Sequence, residues 1–296
     1  MFRCLGAQVV VNSDMKKIIT LAACLCFALI AWSQTPPRLI VRGDDMGYSH
    51  SGNLAIIKTY KEGIESSIEV IVPSPWFPEA VKLLQQNPGI DVGIHLAITS
   101  EWDNIKWRPV SDCPSIKDTN GYFYPMVVAN KNYPGQSISE NKWKIEDIER
   151  EFRAQIEIAV KNIPRISHLS SHMNCTGLSD EVRAMTRRLA KEYKIDIDLG
   201  ELGVSYLGYD GPHKTSSEKI ESFVKALDKL EPGKTYLFVE HPGINNEELK
   251  AVSHIGYEDV AGDRQGVTDL FTSEKVKAII KKKGIQLIGY RDLKPK

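Results

Sequence analysis

The sequence predicts an α/β fold: a mostly parallel sheet, barrel-like in closure, carried by a single domain. Three observations support that prediction. Short apolar runs of strand length alternate with longer amphipathic runs from Arg38 to Tyr290. A strand followed by a helix brings the chain back to the same end of the sheet, which makes neighbouring strands parallel. About seven such units, spread over roughly 260 residues, suit a barrel better than a two-layer sheet.

The elements follow in order. Behind Pro36-Pro37, RLIVRGD from Arg38 reads as a buried strand, and residues 54–62 as a helix closed by Gly63. SSIEVIVP from Ser66 is a second strand, followed by a helix over 77–86 that Asn87-Pro88 ends. IDVGIHLAI from Ile90 is a third strand. Residues 99–139 are rich in Pro, Gly, Asn and Trp and show weak periodicity. A connection that long in a compact domain is a lid, a binding loop or a small excursion of structure. Apolar residues at Ile145, Ile148, Phe152, Ile156 and Val160 then mark the clearest helix, spaced close to 3.6 residues. ISHLSSH from Ile166 is the fourth strand, 180–193 a helix, and IDIDLG from Ile195 the fifth strand. Residues 216–230 are helical, TYLFVEHPG from Thr235 is the sixth strand, 273–283 a helix, and IQLIGY from Ile285 the closing strand.

Composition narrows the function. The chain has 296 residues with 38 basic and 38 acidic side chains, so its charge is balanced and gives no support to a nucleic-acid partner. Residues 1–33 read as a leader, leaving 34–296 as the barrel domain. MKKIITLAACLCFALIAWSQ, from Met15, has two lysines, an apolar run over 18–32 and a small-x-small end at Ala31 and Ser33. That run is short of the about 20 residues a membrane span needs. The pattern predicts export to the periplasm or the medium, with an upstream extension before Met15. LAAC, ending at Cys24, is a weaker lipid-anchor alternative, because the apolar run continues past it. Of five cysteines only Cys113 and Cys175 lie beyond the leader, and whether they pair is open. A homodimer is also left open.

Four predicted strands end in residues able to bind metal or move protons: Asp44-Asp45, His95, His168 with His172, and Glu240-His241. Singly, each has a bland reading as a turn, a cap or a core histidine. Their shared position at the carboxyl ends of strands, where parallel α/β folds carry their sites, favours one constellation. A carboxylate and two neutral imidazoles leave open positions on a divalent metal. A second carboxylate beside the ligand takes a proton from water, and a further histidine protonates the leaving group. That is the apparatus of metal-assisted hydrolysis.

LIVRGDDMGYSHSGNLAIIKTYKEGI, IDVGIHLAITSEW, ISHLSSH, FVEHPG and the terminal GYRDL together resemble the YdjC-like carbohydrate deacetylases, in order and over most of residues 38–293. The resemblance implies a distorted TIM-like barrel that hydrolyses the acetamide of an N-acetylated sugar or oligosaccharide. It places the metal on Asp45, His95 and His172, the general base at Asp44, and a general acid or oxyanion stabiliser at His241. The metal it implies is one divalent ion, Zn²⁺ or Mg²⁺, with others open. The family pattern carries Asp where this chain has Ser170, and a third His where it has Asn174, which leaves a supporting or substrate-contacting role to His168. Trp102, Trp107, Tyr122 and Tyr124, in the long loop, are expected to stack on sugar, and Arg264 to hydrogen-bond it. Two alternatives stay open: a metal-dependent esterase or phosphoesterase, and a glycan-binding barrel without turnover.

Overall fold

The computed structural model describes residues 35–293, so the leader expected over residues 1–33, with Cys24, lies outside the described residues. Seven strands form one sheet: β1 (Arg38–Met46), β2 (Ser67–Val70), β3 (Asp91–Leu96), β4 (Ile166–Ser171), β5 (Ser205–Tyr206), β6 (Thr235–Glu240) and β7 (Gln286–Leu287). Their order is β4-β3-β2-β1-β6-β5, with β7 beside the start of β1, and every pairing between them is parallel. β4 and β5 form the two ends of this path, so the barrel is distorted and open between them. A cavity of about 500 Å³ lies at that gap, with Arg42, Ser170, Tyr206 and Tyr290 among its lining residues.

The strands have near-continuous apolar runs because both of their faces are covered. In β1, Leu39 and Val41 pack outward with Phe238 and Phe271, while Ile40 turns inward to Leu237 and Tyr290. The outer layer begins with α1 (His50–Glu62), whose N-cap Ser49 accepts a hydrogen bond from Gly52 N at 2.9 Å. α2 (Phe77–Gln86), α3 (Ile145–Asn162), α4 (Asp180–Glu192) and α5 (Ser216–Leu227) follow. The apolar stripe expected on α3 is buried at Ile148, Phe152 and Ile156. α6 (Glu247–Lys250), α7 (Val260–Thr272) and α8 (Glu274–Lys283) complete the layer. Among the described residues, no helix is long and apolar enough to cross a membrane.

Residues 195–200 and α7 differ from the sequence expectation, and the open choice for residues 99–139 falls on an excursion of structure. Residues 195–200 are not a strand: Asp198 Oδ1 accepts from the backbone N–H of Gly200 at 2.8 Å and folds the run into a turn. Residues 99–139 are a packed excursion, with Trp107, Ile116, Phe123 and Ile138 inside the main core. α7 carries no sequence expectation. Its Gly262 and Gly266 weaken the helical signal, although Asp259 caps Gly262 N at 3.0 Å. Cys113 and Cys175 are both free and buried.

One buried acid beneath the strand ends has a measurable consequence. Glu65 touches Thr59, and Gly43 is glycine for a steric reason, since a Cβ there would lie 2.3 Å from Glu65 Oε1. Burial pushes Glu65 well above the usual carboxylate range; Thr59 opposes the rise and Asp44 adds to it. The unfolded chain ionises at the ordinary value. The folded state is therefore favoured most at low pH and loses about 1.4 kcal/mol per unit as pH rises, until the folded value is reached. Glu65→Gln is thus expected to raise Tm above wild type by more at pH 8 than at pH 5. Equal shifts in thermal melts at both values would contradict this.

Candidate metal centre and active site

In an ordinary strand, consecutive side chains point to opposite faces, so Asp44 and Asp45 would not share a site. The end of β1 breaks that rule. Gly43 pairs with Ile68 and Met46 with Val70, a bulge with one more residue on β1 than on β2, and Asp45 sits at φ 70. Left-handed backbone is uncommon outside glycine, and Asp is among the residues that tolerate it. Both carboxylates consequently face His95 Nε2, Asp44 Oδ2 at 3.7 Å and Asp45 Oδ1 at 3.5 Å.

His95 comes from β3, and His172 from the first position after β4, where Met173 and Asn174 (φ 48 and 56) turn the chain sharply. His172 Nδ1 lies 3.2 Å from Asp45 Oδ1. Asp45, His95 and His172 are all buried, and one donor atom of each falls within 4.8 Å of the others. Asp45 Oδ1 accepts no hydrogen bond among the described residues. A buried carboxylate oxygen left unsatisfied between two imidazole nitrogens fits a small divalent cation.

The partners around this trio fix its charges. Burial would raise the Asp45 carboxyl, but His241, Arg264 and His172 hold it well below the usual carboxylate range. Burial disfavours charge on His172, yet Glu101 and Asp45 push it up to about 10. Glu101 Oε2 sits 3.0 Å from His172 Nε2, a carboxylate–imidazole contact that orients the ring. Burial likewise lowers His95, with Asp44 opposing. Arg42 holds Asp44 with a fork, Nε to Oδ1 at 2.7 Å and Nη2 to Oδ2 at 2.9 Å, and its Nη1 donates to Tyr290 Oη at 2.7 Å. His241 is half-exposed, with Nε2 3.8 Å from Asp45 Oδ2. Burial opposes its charge, but Asp45 and Glu240 raise its pKa.

The structure thus brings Asp44, Asp45, His95, His172 and His241 together, and it revises three expectations. His168 is not a substrate contact: it is fully buried, bonded to Glu69 and Ser167 and stacked on Tyr290 at 3.4 Å between centroids. Trp102 and Trp107 are also buried. Trp102 packs against Tyr48, His254 and Tyr257, and Trp107 spends its N–H on Thr99 O, so neither offers a free face to a sugar. Tyr122 is half-buried under Arg108, and Tyr124 packs against the core. Arg264 is buried over the Tyr48 ring and gives Nη2 to Asp45 Oδ2 at 2.8 Å, so its partner is a candidate ligand residue and not a substrate. Sequence reasoning missed Glu101, which sits in an aperiodic loop. It also missed Arg42 and Glu69, although an ionisable residue inside an apolar strand is itself a signal of a buried network.

The family model described as YdjC-like protein matches residues 38–282. The chain belongs to the YdjC-like family. Among curated relatives of this YdjC-like chain, the carbohydrate deacetylase of Enterococcus faecalis (strain ATCC 700802 / V583) is 27% identical over 272 residues, covering 86% of this chain and 98% of its own. The carbohydrate deacetylase of Clostridium beijerinckii is 29% identical over 273 residues, covering 86% and 100%. A crystal structure from Enterococcus faecalis V583, described as a cellobiose-phosphate cleavage protein, superposes with a TM-score of 0.70 at 24% identity. It covers 88% of this chain and 100% of its own, a likeness that bears on the fold alone.

Proposed function

We propose that this YdjC-like protein is a divalent-metal-dependent carbohydrate deacetylase that hydrolyses the acetamide of an N-acetylated amino sugar or oligosaccharide. One observation carries the reading: Asp45 Oδ1, unsatisfied and buried, faces His95 Nε2 and His172 Nδ1 with Asp44 alongside. The substrate class comes from the relatives named carbohydrate deacetylases, which align along nearly their whole length. Asp45, His95 and His172 would hold the cation, and an oxygen-and-two-nitrogen donor set favours Zn²⁺ over the oxygen-seeking Mg²⁺. Such a cation supplies Lewis acidity, acidifying water and polarising a carbonyl.

The chain's own groups do the rest. Asp44, kept in place by the Arg42 fork, takes the proton from the attacking water as its oxygen bonds to the acetamide carbon. The carbon–nitrogen bond then breaks, and His241, half-exposed and favoured in its protonated form, delivers a proton to the departing amine. Acetate and a free amino sugar leave. Glu101 and Arg264 hold His172 and Asp45 throughout.

The test is acetate release from a panel of N-acetylated sugars by metal-stripped protein, with Zn²⁺, Mg²⁺, Mn²⁺ and Ni²⁺ added back singly. Activity is expected to return, most strongly with Zn²⁺. No acetate with any metal on any sugar would overturn the proposal. The leader expected over residues 1–33 makes an exported glycan the natural substrate. Amino-terminal sequencing of secreted protein should begin at Gln34.

A further inference from the structure

His95 can bind a cation through Nε2 only if its proton sits on Nδ1, and three strands decide that in this chain. Their register sets Glu69, Gly93 and His168 in one row and His95 with Ser170 in a neighbouring one. Gly93 supplies the room, because a Cβ there would lie 2.4 Å from Glu69 Oε2 and 2.5 Å from His168 Nε2. Through that gap Ser170 Oγ hydrogen-bonds Glu69 Oε2 on one side and lies 2.6 Å from His95 Nδ1 on the other.

A hydroxyl has one proton to give. Glu69 is fully buried, bonded to His168 Nε2 through its other oxygen, with Arg42 Nε 3.8 Å away. Burial would raise its carboxyl, but His168, bonded to it, and the Arg42 guanidinium hold it below the usual carboxylate range, so the ionised group acts as an acceptor. Ser170 must therefore donate to Glu69 and accept the Nδ1–H of His95. That leaves a bare lone pair on Nε2, 3.5 Å from Asp45 Oδ1, which is itself without a hydrogen bond among the described residues. Two acceptors facing each other suit a cation and not a hydrogen bond.

We infer that Glu69, acting through Ser170, is a positioning residue that fixes the His95 tautomer and so presents Nε2 to the cation site. The inference rests on the cation site proposed above, but its test needs no substrate. Ser170 borders the cavity between β4 and β5, and Thr and Val there have the same shape and differ only in the hydroxyl that matters.

Zn²⁺ affinity, read by competition with a chromophoric chelator, should weaken about 10–100-fold in Ser170→Val and Ser170→Ala and stay within about threefold in Ser170→Thr. Independently, ¹⁵N-resolved NMR of the metal-free protein should show His95 protonated on Nδ1 in wild type and Ser170→Thr. An Nε2–H population should appear in Ser170→Val. Zn²⁺ bound as tightly by Ser170→Val as by wild type, or a wild-type His95 protonated on Nε2, would overturn the inference. An intact relay with tight Zn²⁺ but no acetate from any sugar would instead fault the proposed reaction. The Nδ1 tautomer in a protein that binds no Zn²⁺ would fault the cation site and, with it, the purpose assigned to the relay.

Discussion

Asp44→Asn is expected to lower kcat for acetate release by about a thousandfold, within the range of 10²–10⁴ that a positioned base contributes, while Zn²⁺ content stays stoichiometric. The two effects separate because Asp44 is not one of the three convergent donors. An amide cannot take the proton that the carboxylate takes. It does retain one oxygen for the Arg42 fork, whose Nε and Nη2 both reach Asp44 in wild type. Arg42 is not stranded either, since Tyr290 Oη accepts its Nη1 and Glu69 lies 3.8 Å away. The stability cost should therefore be about 1–3 kcal/mol, the cost of one mismatched buried polar group, and not the 3–5 kcal/mol of an orphaned buried charge. Acetate release, metal analysis and thermal melts on one preparation decide it. A kcat within a few-fold of wild type would remove Asp44 from the role of base.

The strand ends were legible in the sequence because parallel strands buried on both faces have apolar runs that stop abruptly. β1, β3, β4 and β6 each run into a residue of the site at that point. Legibility ended where a side chain's direction depends on local backbone. Nothing in GDDMG announces that Asp45 adopts φ 70 in a bulge, yet that turn is what places neighbouring aspartates on one face. The long loop misled for a related reason. Trp102 and Trp107 look like exposed stacking platforms in an aperiodic segment, but the segment has a core of its own and uses them as filling. α7 was invisible because its glycines weaken the helical pattern, and Arg264 rode with it, so a structural partner of Asp45 passed for a substrate contact.

The departure at Ser170 shows what a single motif position can conceal. In the sequence it reads as the loss of a carboxylate beside a ligand histidine. In the fold a carboxylate is present on β2, at Glu69, two strands across from Ser170, and it connects to His95 through the serine hydroxyl. An aligned motif does not register that, because Glu69 and Ser170 are joined only by the sheet.

Asp45 performs two tasks, and these can be taken apart. Oδ2 holds Arg264, whose Nε and Nη1 have no hydrogen-bond partner among the described residues, and Oδ1 faces the two imidazoles. Asp45→Ala should therefore destabilise the metal-free protein by about 3–5 kcal/mol, since it leaves a buried guanidinium without its counter-charge. The stacking of Arg264 on Tyr48 and Trp102, at 4.4 and 5.3 Å, offsets only part of that loss. Zn²⁺ affinity should fall by at least about a thousandfold, beyond the 10–100-fold typical of losing a group that merely orients a ligand. Asp45→Ala/Arg264→Met removes the stranded charge along with its partner, and methionine fills the slot between the aromatic rings. The double variant should recover most of the lost stability in denaturant melts, short of the cost of holding alanine at φ 70, and none of the Zn²⁺ binding. If stability failed to return, Arg264 would not be what Asp45 balances in the metal-free fold. If Zn²⁺ binding returned with it, Asp45 would not be a ligand.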